Sequence, residues 1–245
     1  MKKLDDKLYW RKRHAASKDL QASGVKSVSS KSNHYIYKML AEQYKKLLEA
    51  IDLKNCKTVI DCGFGNGYFL DFFSEHYPGL EVYGVDISAA AKSKAKSAQN
   101  KRLFVADLTN LQLKRQFDIV HCFDVLYHIL AEADYEKAIK NLCKISNKYV
   151  ILHERFLRKS PLISSAHVQL RSADKTNKLL NDNGFFLYEE IPTHFLAMRL
   201  PIYRLNKFIP NLLYMIDAAI ARTFKPPAQK FLGPHFIRVY KEADN

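Results

Sequence analysis

One short stretch limits what this chain can become. Residues 59–69 read VIDCGFGNGYF. An apolar, β-branched run ends on Asp61, glycines follow at 63, 65 and 67, and helical spacing resumes at Tyr68. A strand that turns through closely spaced glycines into a helix belongs to an open α/β sheet. In such sheets ligands sit outside the carboxyl ends of the strands, near the point where strand order reverses. The spacing departs from the dinucleotide fingerprint, which would place its third glycine at 68, where this chain has Tyr68. Asp61, directly before the turn, would repel a pyrophosphate and attract an ammonium or sulfonium group. The free N–H groups that open the helix suit an anion. A ligand with both a carboxylate and a positive centre fits this arrangement.

The rest of the chain repeats the alternation. Strand patterns fall at 57–62, 81–86, 102–106, 117–123, 149–153, 185–191 and 236–241. Helical patterns fall at 35–51, 68–76, 88–99, after 123 to about 143, and 172–182, the last ended by Asn183-Gly184. This predicts a parallel sheet with helices on both faces. Between the last two strands lies an inserted segment, 195–234, with helical spacing at 202–208 and 211–223 and bends at Pro201, Pro210 and Pro226-Pro227. Its apolar residues, among them Phe208, Ile209, Leu212 and Met215, predict a packed cap over the site.

Two more acids continue the pattern begun by Asp61. Asp86 ends the second strand in GVDIS, where a carboxylate can accept both hydroxyls of a ribose. Asp107 follows the third strand in ADL, where it can accept from an exocyclic amine of adenine. A single aspartate at a strand end is a common turn former; three in succession with a glycine turn need another reason.

These motifs resemble those of the class I S-adenosylmethionine-dependent methyltransferases. VIDCGFGNG is similar to the first family motif, GVDIS to the second, ADL to the third, and FDIVHCFDVLYHI (Phe117–Ile129) to the fourth. The resemblance covers roughly 35–194 and 236–241. It implies a Rossmann-like seven-stranded sheet with the last strand antiparallel, S-adenosylmethionine as cofactor, and methyl transfer to a nucleophile. It also implies cofactor contacts from Asp61, Gly63, Gly65, Gly67, Asp86, Ile87, Asp107, Leu108 and Phe123. The chain then divides into a basic N-terminal lid segment, 1–34, and a methyltransferase domain, 35–245, carrying the cap insertion at 195–234.

A hydroxyl acceptor needs a base. His128, one helical turn past the fourth strand, is one candidate, and its plain alternative is a histidine packed beneath the site. His153 and Glu154, at the end of the fifth strand, are a second, against a reading as strand-end polar residues. Tyr127 is a candidate pocket residue. The opening LYWRKRH resembles aromatic-basic lids of the family, which marks Tyr9, Trp10 and Arg13 as substrate contacts; the alternative is a disordered basic tail. Arg199 and Arg204 of the cap are candidates to face an anionic acceptor. No Asp/Asp/Asn metal set and no Asn/Asp-Pro-Pro-Tyr motif is seen, so a metal-free transfer to a small molecule or glycan is expected.

Charge sharpens the choice of acceptor. The net charge is +14. Residues 1–34 hold nine Lys/Arg against three Asp, and 195–234 hold six against one, so the body is near neutral. Either these segments are solvated surface or they draw in an anionic partner. The four cysteines, Cys56, Cys62, Cys122 and Cys143, have no metal-type spacing, two of them lie in apolar runs, and no signal-peptide core or membrane-spanning run is seen. A reducing, cytoplasmic setting is expected. The leading expectation is O-methylation of an anionic sugar, phosphorylated group, lipid-linked glycan or secondary metabolite, as in polysaccharide biosynthesis. RNA methylation is supported by charge but not by interleaved base-stacking aromatics. The stretch 206–225, apolar with basic ends, leaves peripheral membrane contact open, and oligomeric state stays open.

Overall fold

The computed structural model describes residues 5–17, 20–96, 98–156, 162–196, 198, 202–223 and 235–243, with backbone only at 162–165 and 203. Seven strands form one mixed sheet: β1 (Thr58–Cys62), β2 (Glu81–Asp86), β3 (Lys101–Val105), β4 (Phe117–Phe123), β5 (Ser146–Arg155), β8 (Phe185–His194) and β9 (His235–Glu242). Their order is β3-β2-β1-β4-β5-β9-β8. All neighbours are parallel except β9, which runs antiparallel to both β5 and β8. Strand order reverses between β1 and β4, and this places the glycine turn at the switch point, as the sequence predicts.

The side chains of the central strands alternate between two cores. Val59, Ile119, Ile151, Ile237 and Val239 face α2 (Ser30–Glu49) and α3 (Tyr68–His76). Ile60, Cys62, Val120, Cys122, Leu152 and Tyr240 face α5 (Glu132–Lys144) and α6 (Ala173–Asn181). A fourth crossover helix, α4 (Ala89–Lys94), is capped by Ser88, whose Oγ accepts from Ala91 N; it ends well short of the expected residue 99. A hairpin absent from the sequence reading, β6 (Leu162–Ser165) and β7 (Val168–Leu170), follows β5.

The N-terminal segment is an ordered helix, α1 (Asp6–Ala16), not a tail. Asp5 caps it by accepting from Leu8 N, and Asp6 Oδ2 accepts from Leu130 N. Lys94 Nζ donates to the carbonyls of His14, Ala15 and Ser17. One ammonium thus satisfies the open carbonyls at the helix C-terminus, where the macrodipole is negative. Arg13 Nη2 donates to Gln21 O and Gly24 O, and so ties the following loop to the helix.

Only part of the expected cap insertion, 195–234, is among the described residues, and that part packs on α2. Its described part is a 3-10 turn, Ile202–Lys207, and α7 (Pro210–Thr223). Helix α7 packs on α2: Ala218 and Ala221 meet Met39 and Phe195, and Tyr214 Oη donates to Glu42. Asp217 accepts from Phe195 N and Leu196 N. Arg199 lies outside the described residues.

Lys94→Ala should leave the three α1 carbonyls to water. A cation at a helix C-terminus contributes enough that amide exchange across 6–16 should quicken about two- to fivefold. Hydrogen-exchange mass spectrometry checks this; unchanged exchange would mean that α1 is held by its buried face alone.

Candidate active site

A cavity opens at the carboxyl ends of β1, β2 and β4, beneath α1. Of the residues singled out from sequence, Asp61, Gly63, Gly65, Asp86, Ile87, Asp107, Leu108, Phe123, Trp10 and His128 line it. The turn is built by glycine conformations. Gly63 has φ 91° and Gly65 φ 53°. A Cβ at Gly63 would lie 2.3 Å from Val125, and one at Gly65 2.2 Å from Ser23 Oγ, so both are steric as well as conformational requirements. Gly67, with φ 84°, is the N-cap of α3 and is not among the lining residues.

Asp86 fastens the turn. Its Oδ2 accepts from Gly65 N at 2.9 Å and its Oδ1 from Ser88 N at 2.8 Å. A carboxylate offers about four acceptor positions, so capacity remains for a ligand hydroxyl. Asp61 is buried with Oδ1 3.2 Å from His121 Nε2, a partner the sequence reading missed. Asp107 Oδ1 accepts from Thr109 N, and its Oδ2 pairs with Lys7 Nζ at 2.6 Å. Burial pushes the Asp107 carboxyl up, but the Lys7 and Thr109 hydrogen bonds outweigh it and hold the group below its usual range.

Lys7, Trp10 and His14 project from α1 into the cavity at positions i, i+3 and i+7, one face of a helix. Both ring nitrogens of His14 are buried without a hydrogen-bond partner among the described residues; Nδ1 stands 3.6 Å from Asp86 Oδ1. An orphaned imidazole against a carboxylate with spare acceptor capacity is the wall of a polar ligand's site. Tyr9 and Arg13 fall off that face. Tyr9 stacks on His167 (ring centroids 4.8 Å, interplanar 25°) and Arg13 lies over Trp10, so both brace the lid and are absent from the cavity lining.

The far wall carries the groups nearest to chemistry. Asp124 follows β4 with φ 57°, the one described non-glycine residue in the left-handed region, and it lines the cavity. Such strain at a ligand wall marks a position the surroundings over-determine. Its N–H donates to His153 O, and its Oδ2 lies 3.1 Å from His153 Nδ1, an ion-pair distance outside hydrogen-bond alignment. His153 belongs to a buried polar chain with Thr193 and His194. The Ile36 carbonyl can only accept, so His194 Nε2 donates to it at 3.0 Å. Burial, then the His153 charge, lower His194 to about 4, so the ring is neutral and its Nδ1 must accept. The Thr193 hydroxyl lies 3.1 Å from that Nδ1, 3.0 Å from His153 Nε2 and 3.3 Å from the His235 carbonyl, so it links the three histidines. Burial raises the Asp124 carboxyl, but His153 beside it brings it down to about 2.

His153, His194 and His235 also offer nitrogens within 4.8 Å of one another, a grouping that could hold a transition metal and that sequence spacing did not reveal. His128 Nδ1 donates to His167 O at 2.7 Å, which leaves Nε2 as the acceptor. Burial lowers this imidazole to about 3, so it too is neutral. The carbonyls of Leu126 and Ile129, on either side of Tyr127 and His128, accept from the buried guanidinium of Arg171, another residue missed by the sequence reading. Tyr127 N donates to Glu154, and neither side chain is among the lining residues. Arg204 is exposed, and no described residue of the insertion lines the cavity.

Glu154 is buried. Burial first, then the Asp124 charge, raise it from 4.5 to about 8, so it holds a proton at neutral pH. The folded chain keeps this proton between about pH 4.5 and 8 while the unfolded chain loses it, so rising pH costs stability across that window. Glu154→Gln, which mimics the protonated form, should keep its stability near pH 5 and lose less than the parent by pH 9. Thermal melts of both proteins across this range check the sign.

Comparison with known proteins agrees with this geometry. Residues 32–201 match a family described as Methyltransferase domain. The tRNA U34 carboxymethyltransferase of Helicobacter acinonychis (strain Sheeba) is 33% identical over 112 residues, 42% of either chain. The matches span less than half the length of the curated relatives. Among solved structures, magnesium protoporphyrin IX methyltransferase from Synechocystis PCC 6803 superposes with a TM-score of 0.62 at 18% identity, covering 99% of this chain and 100% of that one. The N-methyltransferase NodS from Bradyrhizobium japonicum WM9 gives 0.61 at 11%, covering 98% and 100%. With motif, fold and family match in agreement, the chain belongs to the methyltransferase-domain family, in its class I, S-adenosylmethionine-dependent form.

Proposed function

We propose that this methyltransferase acts on a hydroxyl group of a small anionic acceptor: a sugar, a phosphorylated group, a lipid-linked glycan or a secondary metabolite. The observation that carries the reading is Asp124, an ionised and conformationally strained carboxylate on the cavity wall, with His153 Nδ1 3.1 Å behind it. S-adenosylmethionine, when bound, supplies a methyl group already activated by its sulfonium. The chain's own residues have to hold, align and keep water out. Asp86 would accept from the ribose hydroxyls, Asp107 from the adenine amine, and the Asp61–Gly65 turn would meet the methionyl end. Asp124 would accept a hydrogen bond from the acceptor hydroxyl and fix its direction. His128 Nε2 is the lone pair on the same wall that could take the proton. Both groups are weak bases, so alignment carries more of the rate than proton abstraction. The basic helix α1 borders the cavity and supports an anionic acceptor.

A second reading, RNA methylation, draws on the +14 charge and the similarity to a tRNA-modifying enzyme. A screen of carbon-13-methyl transfer to sugar phosphates, nucleotide sugars, polyprenyl-linked glycans and bulk tRNA distinguishes the two.

Asp86→Ala should weaken S-adenosylmethionine about ten- to a hundredfold in calorimetry, since hydrogen bonds to a charged acceptor contribute about 1.5–3 kcal/mol. An unchanged affinity would remove Asp86 from the ribose site. Asp124→Asn retains a residue that tolerates positive φ. It should lower turnover on the order of a hundredfold, the cost of lost alignment, with cofactor affinity within a few-fold of the parent. If Asp124→Asn and His128→Ala both turn over like the parent with chemistry rate-limiting, the acceptor needs no such help, and an amine becomes the better assignment.

A further inference from the structure

The 3-10 turn Ile202–Lys207 and helix α7 show a surface that methyl transfer does not use. Phe208 is 74% exposed, Met215 65%, Leu212 50%, Leu205 44% and Ile209 39%. These five fall within eleven residues, at spacings of three and four that put them along one side of the turn and helix. Scattered exposed apolar residues are ordinary, but a contiguous row of large ones is not. The opposite side of α7 is occupied: Leu213, Ala218 and Ala221 are buried, the last two against Met39 of α2. The helix therefore has two apolar faces, and packing inside the protein accounts for one.

Charge indicates what the other meets. Arg204, Lys207 and Arg222 are exposed beside the row. Lys38 of α2 extends over the ring of Tyr214, with Nζ 5.1 Å from its centroid. The single acid between 195 and 234 is Asp217, which is buried and accepts from two backbone N–H groups. The rim of the apolar row is thus cationic, with no exposed carboxylate among the described residues 202–223. A protein partner would ordinarily ask for polar groups of both signs. Glu42 of α2, half-buried, accepts from Tyr214 Oη, so the nearest carboxylate is engaged. A row of Phe, Leu, Ile and Met edged mainly by Lys and Arg is the chemistry of a helix lying in the headgroup region of an anionic bilayer. The helix has 14 residues, and no described helix is long and apolar enough to cross a membrane, so the contact is interfacial.

We propose that this face seats the enzyme on an anionic lipid surface, with Phe208, Leu212 and Met215 inserted among the headgroups and Arg204 and Lys207 on the lipid phosphates. The inference does not rest on the acceptor assigned above, because it is read by binding alone. It does bear on it: α7 lies on α2, and Tyr37 of α2 lines the cavity, so one helix separates the seated face from the active site.

The test is flotation of the full-length protein with phosphatidylcholine vesicles, with or without phosphatidylglycerol. The parent should float with the anionic vesicles, and less so as salt is raised. Phe208→Ser/Leu212→Ser/Met215→Ser should bind at least about tenfold more weakly with an unchanged melting temperature, since all three side chains are exposed. Arg204→Glu/Lys207→Glu should weaken anionic binding by on the order of fivefold or more per reversed charge. The native cysteines are buried. Met215→Cys can therefore carry an environment-sensitive fluorophore, whose emission should shift to the blue on anionic vesicles. A parent that stays unbound at low salt overturns the proposal. So does a triple variant that floats like the parent, which would assign lipid binding to another basic segment, or a concentration-dependent dimer in light scattering that the triple variant abolishes, which would make the occupant a second copy of the chain.

Discussion

The hydrogen bond from Gly65 N to Asp86 Oδ2 is the contact on which the site depends. It joins the turn after β1 to the end of β2 at the place where the sheet changes direction. Gly65 must be glycine, because its φ and the nearby Ser23 leave no room for a side chain. Asp86 must be a carboxylate, because it accepts from two backbone N–H groups and still has capacity to face the cavity. In the proposed reading the carboxylate that shapes the turn would also accept from the ribose, so a looser turn would cost the cofactor site.

Around this contact the cavity is assembled from both ends of the chain's first half. Helix α1 lies over the strand ends, held by Lys94 at its C-terminus and by Lys7 on Asp107. Behind the opposite wall, formed by Phe123, Asp124, Val125 and His128 at and after the end of β4, lie the late strands of the sheet. His194 and His235 are register partners in β8 and β9, and His235 stacks on His153 of β5. His153 in turn stands beside Asp124, whose carboxyl it helps keep ionised. A lid of local sequence and a wall of distant sequence meet on either side of one ligand space.

This division explains what could be read from the sequence. The glycine turn, Asp61, Asp86 and Asp107 were legible because each lies at the end of an apolar run and answers to a local rule. The seven strands were legible for the same reason. The face of α1 was not, because LYWRKRH has strongly polar composition and little apolar periodicity. Without a helix to set the face, Tyr9 and Arg13 stood equal with Trp10, while Lys7 and His14 went unnoticed. The surroundings of His153 and Glu154 were not legible either, since they depend on burial and on Thr193 and His194, which the chain brings alongside only through the antiparallel return of β9. The described part of the insertion was legible as helical and apolar, but its seat on α2 was not, because that is a matter of tertiary packing.

The most direct test of the account is a crystal structure with S-adenosylhomocysteine bound. The account predicts the ribose hydroxyls on the Asp86 carboxylate, the adenine beside Asp107 and Leu108, the amino-acid end at the Asp61–Gly65 turn, and α1 closed over the ligand through Trp10 and His14. A ligand bound elsewhere, or an Asp86 that keeps only its two backbone partners while the ribose points to solvent, would contradict it.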